Sequence, residues 1–300
     1  MLAAKRSGDR AAEELFVDVL GPLEVRIGTR PVQVRTGRLR ALLAVLAMSA
    51  GRAVPVERLA DAVWGEDLPD DARRSVQTYV TRLRGVLGGD AIHTRPDGYV
   101  LHAARVDALR FLRLLETSAA APDDARERVA LAEALALWRG TPFEGIRAAW
   151  LDDVEAPRLA ERYVGAVERR IDLDLAAGSP GDVVGELRDL TARHPLRERF
   201  WAQLMTALYR TGRQVDALDT YRRLYRLLAE EVGVAPGADV RQLHRRMLAG
   251  DPTLHPQDGP DPADPSARAR AALRRGPDER HLRCSRLRHA RGSRAGLRSA

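Results

Sequence analysis

The spacing of apolar residues changes near residue 36, and that change limits the fold more than any other feature of the chain. Before it, Phe16, Val17, Val19 and Leu20 run up to a Gly-Pro turn. Leu23, Val25 and Ile27 then alternate ahead of Gly28, and Val32 and Val34 alternate after it. This is the period of short strands in a small antiparallel sheet of about three or four strands. After the change, Leu39, Leu42, Leu43, Leu46 and Ala47 form one helical stripe closed by Gly51. Val56, Leu59, Ala60, Val63 and Trp64 form a second, closed by Gly65, with an extended Ala53-Val54-Pro55 between the two. A third helix covers Arg73–Gly89, and IHTRPDGYVLH after it reads as a hairpin around Pro96-Asp97-Gly98. Strands, three helices and a hairpin follow one another in the order of a winged helix.

The third helix, RRSVQTYVTRLRGVLGG, contains no carboxylate. At about 100° per residue, Val76, Val80, Leu83 and Leu87 cluster on one side with Tyr79 and Val86 beside them. The other side carries Arg74, Gln77, Thr78 and Thr81. Arg73, Arg82 and Arg84 flank it, and Ser75 lies near its start. A solvated helix face is the ordinary reading of such a pattern. The alternative is that this face enters the major groove of DNA, where Gln and Arg pair bidentately with adenine and guanine and a Thr methyl meets the thymine methyl. Flanking arginines and the hairpin tip would then meet phosphates. The helix pair before and the hairpin after favour the groove. Tyr79 stays open between packing and a phosphate, with packing preferred.

Composition removes several classes. No apolar run approaches the roughly 20 residues of a membrane span, and the first fourteen residues lack the apolar middle of a secretion signal. Cys284 is the sole cysteine, which excludes an internal disulfide and an all-cysteine metal site. Lys5 is the only lysine, so a Gly-Lys-Ser/Thr phosphate loop is absent. The histidines, His194 and His244 among them, lack metal-ligand spacing. Asp152-Asp153 and Glu230-Glu231 fit solvated faces or helix ends better than acid–base pairs. The chain therefore reads as a cytoplasmic protein with no cofactor, no membrane partner and no catalytic constellation. Its net charge of +7 divides as +3 over residues 1–110, −1 over 111–250 and +5 over 251–300, so the middle is neutral and the ends are basic.

From Asp107 to Gly250 every pattern is helical. AAWLDDVEAPRLAERYVGAVERRIDLDLAAG is long, and Pro157 is the place for a break. A repeat follows: Leu175, Gly178, Asp182, Val183, Leu187 and Leu190 precede Tyr209, Gly212, Asp216, Ala217, Tyr221 and Leu224 by 34 residues, the tetratricopeptide period. Pro195 stands where the first copy's second helix should end. Each helix pair needs a neighbour to bury its apolar face, so Trp201, Tyr209 and Tyr221 are expected in the core.

The segments RALLAVLA, VPVERLADAVWGEDLPDDARRSVQTYVTRLRGVLG and IHTRPDGYVL closely resemble the OmpR/PhoB-type winged helix. Together with LGPLEV they resemble, more narrowly, the Streptomyces antibiotic regulatory protein (SARP) family. WRGTPFEGI, ERYVGAVERRIDLDLAAG and HPLRERFWAQLMTALYRTGRQVDALDTYRRLYRLLAEEVGVAPGADVRQLHRRML resemble, in order, its bacterial transcriptional activation domain. The resemblance implies a mainly α fold with small sheets: a winged helix over residues 15–106, then a tetratricopeptide-like region over 107–250. Residues 1–14 would be an arm. Residues 251–300 would be a Pro/Asp-rich linker with a disordered arginine-rich tail.

The resemblance further implies groove contacts from Arg74, Ser75, Thr78 and Arg82, and phosphate contacts from Arg84 and Arg95. The helical wheel adds Gln77 and Thr81 to the first set, and Arg73 stands with the phosphate group. The function implied is a non-enzymatic transcriptional activator of a secondary-metabolite cluster. It would bind direct repeats in double-stranded promoter DNA near the −35 region and hold RNA polymerase holoenzyme there, with a homodimer as a further possibility. No receiver domain with a phospho-acceptor aspartate is expected before the winged helix. The ATPase module of longer relatives is not seen after it, which fits either a short regulator or a frame change in the tail. A peptide-gripping adaptor without specific DNA binding is the rival reading, and the neutral middle region would permit it.

Overall fold

The structure, a computed structural model, describes residues 14–254, so the expected arm before Glu14 and the arginine-rich tail lie outside the described residues. The amino-terminal sheet contains β1 (Leu15–Asp18), β2 (Glu24–Ile27), β3 (Arg30–Pro31) and β6 (Arg105–Val106), in the order β3-β2-β1-β6. β1 pairs antiparallel with β2 and parallel with β6. The last strand thus returns to the first only after three helices, α1 (Gly37–Met48), α2 (Val56–Trp64) and α3 (Ala72–Leu87), and a hairpin, β4 (Ile92–Arg95) with β5 (Gly98–Leu101). This is the winged helix expected from the periodicity, followed by an all-helical region.

α1 is the hub. Ala41 to Met48 are all buried, because this helix packs against α2, α3 and β5 at once. The helical region then runs through α4 (Asp107–Ala119), α5 (Asp124–Leu135), α6 (Ala156–Ala176), α7 (Val184–Arg193), α8 (Glu198–Arg210), α9 (Gln214–Glu231) and α10 (Ala238–Leu248). Pro157 does not break the long segment. A single π-helical turn, Leu151–Glu155, leads directly into α6, and Pro157 follows it in that helix's first turn.

The 34-residue repeat is physical. Leu175, Val183, Leu187 and Leu190 are buried, as are Tyr209, Ala217 and Leu224. Gly178 and Gly212 take φ of +86° and +77°, a left-handed turn that each copy needs after its first helix. Trp201 and Tyr209 lie in the core, and Tyr221 packs on its margin.

Three buried clusters result among the described residues, the smallest formed by Leu131, Ala166 and Leu173. The second comprises Val164 through Leu254. The first does not stop where the strands give way to helices: it joins the winged helix to Phe111, Phe143, Leu151 and Leu159. Asp107 is the polar fastening of that junction. Its carboxylate accepts the backbone N–H groups of Val19 (2.7 Å), Leu20 (2.9 Å) and Ala108 (2.7 Å), and Arg139 stands 3.5 Å away. Burial pushes this carboxyl's pKa up, and the backbone donors oppose that shift. Arg139 and Phe143 also donate their backbone N–H groups to Leu20 and Val19, each at 2.8 Å.

Order also continues past residue 250, where the linker was expected to begin. Leu254 is buried, and its carbonyl accepts Arg210 Nε at 2.8 Å.

Candidate nucleic-acid interface

α3 starts where Asp71 caps it, the carboxylate accepting the Arg74 N–H at 2.8 Å. Val76, Val80, Leu83 and Leu87 then bury one face. This fixes the helix's rotation about its axis and leaves the other face outward: Arg73, Arg74, Gln77, Thr78, Thr81 and Arg82 are exposed, and Ser75 is half-buried. Among the described residues no ion pair involves Arg73, Arg74, Arg82 or Arg95, so their charge is uncompensated at contact range. Arg74, Ser75, Thr78 and Arg82 open, with Asp71 and Tyr79, onto one shallow depression of about 320 Å³.

The threonines are more restricted than their residue type suggests. Thr78 Oγ1 donates to the Arg74 carbonyl and Thr81 Oγ1 to the Gln77 carbonyl, both at 2.9 Å. Each hydroxyl proton is therefore committed to the helix. What remains to face outward is a methyl group and an acceptor oxygen, suited to a thymine methyl or a base amino group and not to an acceptor such as a purine N7.

A run of aromatic and cationic groups supports this face from behind. The Arg38 guanidinium lies 5.5 Å from the Trp64 ring and donates to the Val63 carbonyl at 2.7 Å. Trp64 meets Tyr79 at 5.8 Å, and Arg82 lies 5.7 Å from the Tyr79 ring. Tyr79 is thus a packing residue that also steers Arg82.

The hairpin is held in place by backbone. Val54, in the extended link between α1 and α2, exchanges hydrogen bonds with Tyr99 at 2.9 and 3.0 Å. Gly98, with φ +139°, sits so close that an added Cβ would meet the Val54 oxygen at 2.0 Å, so this position requires glycine. Arg95 is exposed at the tip beside Pro96 and Asp97.

Arg84 has a different task from the one its position in sequence implies. Its Nε donates to the Ile92 carbonyl at 2.9 Å and its Nη2 to Thr94 Oγ1 at 2.8 Å, and its guanidinium lies over Tyr99 at 5.9 Å. It is a strut between α3 and the hairpin, with fewer donors left for a phosphate. Sequence reading missed this because the acceptors, eight and ten residues away, are a backbone carbonyl and a threonine. The α3-to-hairpin spacing was the only available signal.

Of the other groups considered for chemistry, His194, His244 and Asp152 make structural contacts, and Asp153, Glu230 and Glu231 are exposed. His194 ends α7 beside Phe200, and His244 stacks on Tyr221 at 3.8 Å. Asp152 accepts the Ala148 N–H at 3.2 Å at a helix start. Among the described residues no His, Cys, Asp and Glu group could hold a metal ion, and no helix is long and apolar enough to cross a membrane.

Comparison with known proteins finds two family matches along the chain. Residues 30–101 match the family described as "Transcriptional regulatory protein, C terminal", and residues 106–248 match "Bacterial transcriptional activator domain". The regulatory protein DnrI of Streptomyces peucetius is 34% identical over 261 residues, covering 82% of this chain and 96% of DnrI. The transcriptional regulator RedD of Streptomyces coelicolor is 37% identical over 254 residues, covering 79% and 71%. The regulatory protein AfsR of Streptomyces griseus is 38% identical over 257 residues, 84% of this chain but 26% of AfsR, so the chain spans about a quarter of that relative's length. Among solved structures, Mycobacterium tuberculosis EmbR in complex with a low-affinity phosphopeptide superposes with a TM-score of 0.73 at 34% identity, covering 86% of this chain and 69% of EmbR.

Proposed function

The chain belongs to the Streptomyces antibiotic regulatory protein family of transcriptional regulators, and from that premise we propose that it is a sequence-specific DNA-binding activator of a secondary-metabolite gene cluster. α3 lies in the major groove. Arg74, Ser75, Gln77, Thr78, Thr81 and Arg82 meet base edges, while Arg73 and the hairpin's Arg95 meet phosphates. Arg84 sets the angle between helix and hairpin. Residues 15–106 and 107–250 are the two working parts. The second holds RNA polymerase or a second copy of the chain.

One observation carries this reading: a face of α3 whose own residues include no carboxylate stands exposed, and Arg73, Arg74 and Arg82 have no ion-pair partner among the described residues. Operators built as direct repeats suit head-to-tail copies, with repeats about 10–11 base pairs apart so that the copies share one side of the duplex.

Footprinting on promoter fragments, with and without polymerase, tests the proposal. Protection of direct repeats near the −35 region is expected, enhanced by polymerase. Affinity should fall steeply with salt as arginines displace counterions. Absence of any footprint at low salt would leave the adaptor reading in possession of the helical region.

A further inference from the structure

A second concentration of arginine lies away from α3 and the hairpin, where the amino-terminal sheet meets α4. Arg105, Arg110 and Arg113 line an open cleft of about 560 Å³ together with Phe16, Ala104, Leu114, Thr117 and the carboxylate-bearing Glu14. Arg110, Arg113, Leu114 and Thr117 are spaced to share one face of α4. Phe16 and Arg105 are cross-strand neighbours in the sheet. No residue of α3 or of the hairpin lines the cleft.

The charges in this cleft are poorly neutralised. Arg113 has no ion-pair partner among the described residues, and Arg110 reaches Glu133 only at 3.8 Å. Arg105 shares Asp18 with Arg26, at 3.4 and 3.5 Å, and both guanidiniums lie over the Phe16 ring. The Arg105 Nε is buried and has no hydrogen-bond partner among the described residues. It is one of three such side-chain atoms among the described residues, with Trp138 Nε1 and Gln203 Oε1, and the one that belongs to a cleft-lining residue. Three guanidiniums around a concave space match a phosphoryl group, whose oxygens accept their parallel N–H pairs. The volume is that of a small-molecule site. Phe16, Ala104 and Leu114 supply an apolar floor for the rest of a ligand.

We infer that the cleft between β1, β6 and α4 binds a phosphorylated small molecule through Arg105, Arg110 and Arg113. Its walls come from both sides of the junction fastened by Asp107, so the ligand bridges the winged helix and the helical region. This site is separate from the proposed DNA-binding face.

Calorimetric titration of the full chain with inorganic pyrophosphate, at fixed ionic strength, tests it, and a parallel titration with ADP asks whether a nucleoside adds to the phosphoryl contacts. One saturable site is expected, weakened about tenfold or more by Arg113→Gln or Arg110→Gln, each losing a charge-assisted contact. Both variants should melt like the parent. The double variant Arg74→Gln/Arg82→Gln on α3 should bind pyrophosphate normally. ADP equal to pyrophosphate would assign recognition to the phosphoryl groups alone, and tighter ADP would add the apolar floor. The inference is overturned by the absence of saturable heat at millimolar pyrophosphate, or by an equal loss in the α3 double variant. It also falls if Arg110→Gln and Arg113→Gln weaken promoter DNA as much as pyrophosphate. None of these results would alter the footprint expected of α3.

Discussion

The outer face of α3 and the flank of the helical repeats use the same residue in opposite ways. In the helical region, a set of arginines on the packed flank is consumed internally, while others, such as Arg188, Arg223 and Arg241, have no ion pair among the described residues. Arg197 binds Glu161 and Glu168, Arg169 binds Glu127, Arg199 binds Asp172, and Arg170 bridges Asp174 and Glu186. The resulting pKa shifts run in the expected directions: Arg197 and Arg169 rise, chiefly through hydrogen bonds to their glutamates, and Glu127 falls beside Arg169. α3 itself contains no carboxylate, and Arg73, Arg74 and Arg82 have no ion pair among the described residues. The count of arginines does not separate a surface that binds polyanions from one that does not, since the chain holds 49 basic residues throughout. What distinguishes α3 is that its arginines without an ion pair share a helix that carries no carboxylate at all.

The comparison assumes that the two regions are one mechanical body, and the largest expected effect tests that. Asp107→Ala leaves buried N–H groups of Val19 and Leu20 without acceptors and removes the longer of Arg139's two carboxylate contacts, Glu24 remaining at 2.7 Å. A loss of about 3 kcal/mol or more is expected, since each unsatisfied buried group costs about 1–3 kcal/mol. Chemical denaturation followed by both near- and far-UV signals would measure it. A change under about 1 kcal/mol, below the cost of one unsatisfied group, would mean that the regions are held together without this carboxylate.

The next effect separates the two arginine classes directly. Arg82→Ala or Thr78→Ala should cost about 1–3 kcal/mol on the preferred operator and relax base preference, with little loss on random DNA. Arg84→Ala should weaken specific and random DNA alike, because it loosens the hairpin against α3. Gel-shift titrations on both kinds of DNA read these outcomes. Equal losses for every variant would dissolve the distinction between base contacts and strut.

Arg197→Ala supplies the reverse case. It should leave DNA affinity unchanged while lowering stability by about 1–2 kcal/mol, since Glu168 is left largely desolvated without its partner. Thermal melting with a parallel gel shift would check it, and a fall in DNA affinity would show that paired arginines also serve the interface.

Much of this contrast is legible in the sequence, for local reasons. Helix phase follows from Val76, Val80, Leu83 and Leu87, and the lack of acids on α3 is a property of one short segment. The 34-residue repeat declares itself because Gly178 and Gly212 meet the same backbone demand. What escapes sequence reading depends on distant partners. Asp107 looks like an ordinary acid at a helix start, yet two of its acceptor bonds reach 87 and 88 residues back. Arg84 resembles its neighbours until the hairpin folds beside it. The arginines of the β6–α4 cleft cannot be told from the paired ones by composition, because pairing is a property of the fold.

The smallest effect tests whether the repeat region also differs in its response to pH. His244 stacks flat on Tyr221 and is half-buried, and its pKa is depressed from 6.5 by desolvation and then by Arg222. A depressed folded-state pKa means that the unfolded chain takes up the proton first as pH falls. The stability contributed by the neutral ring is therefore complete above about pH 6.5 and is lost as pH falls through the lower folded value. His244→Phe keeps a ring against Tyr221 and removes the proton. Between pH 7.5 and 5.5 the parent's melting temperature should drop further than the variant's, carboxylate effects being common to both. Parallel curves would show that the stack is indifferent to charge. α3 contains no titratable group in this range, so the change in stability should not bring a matching change in operator affinity per folded molecule.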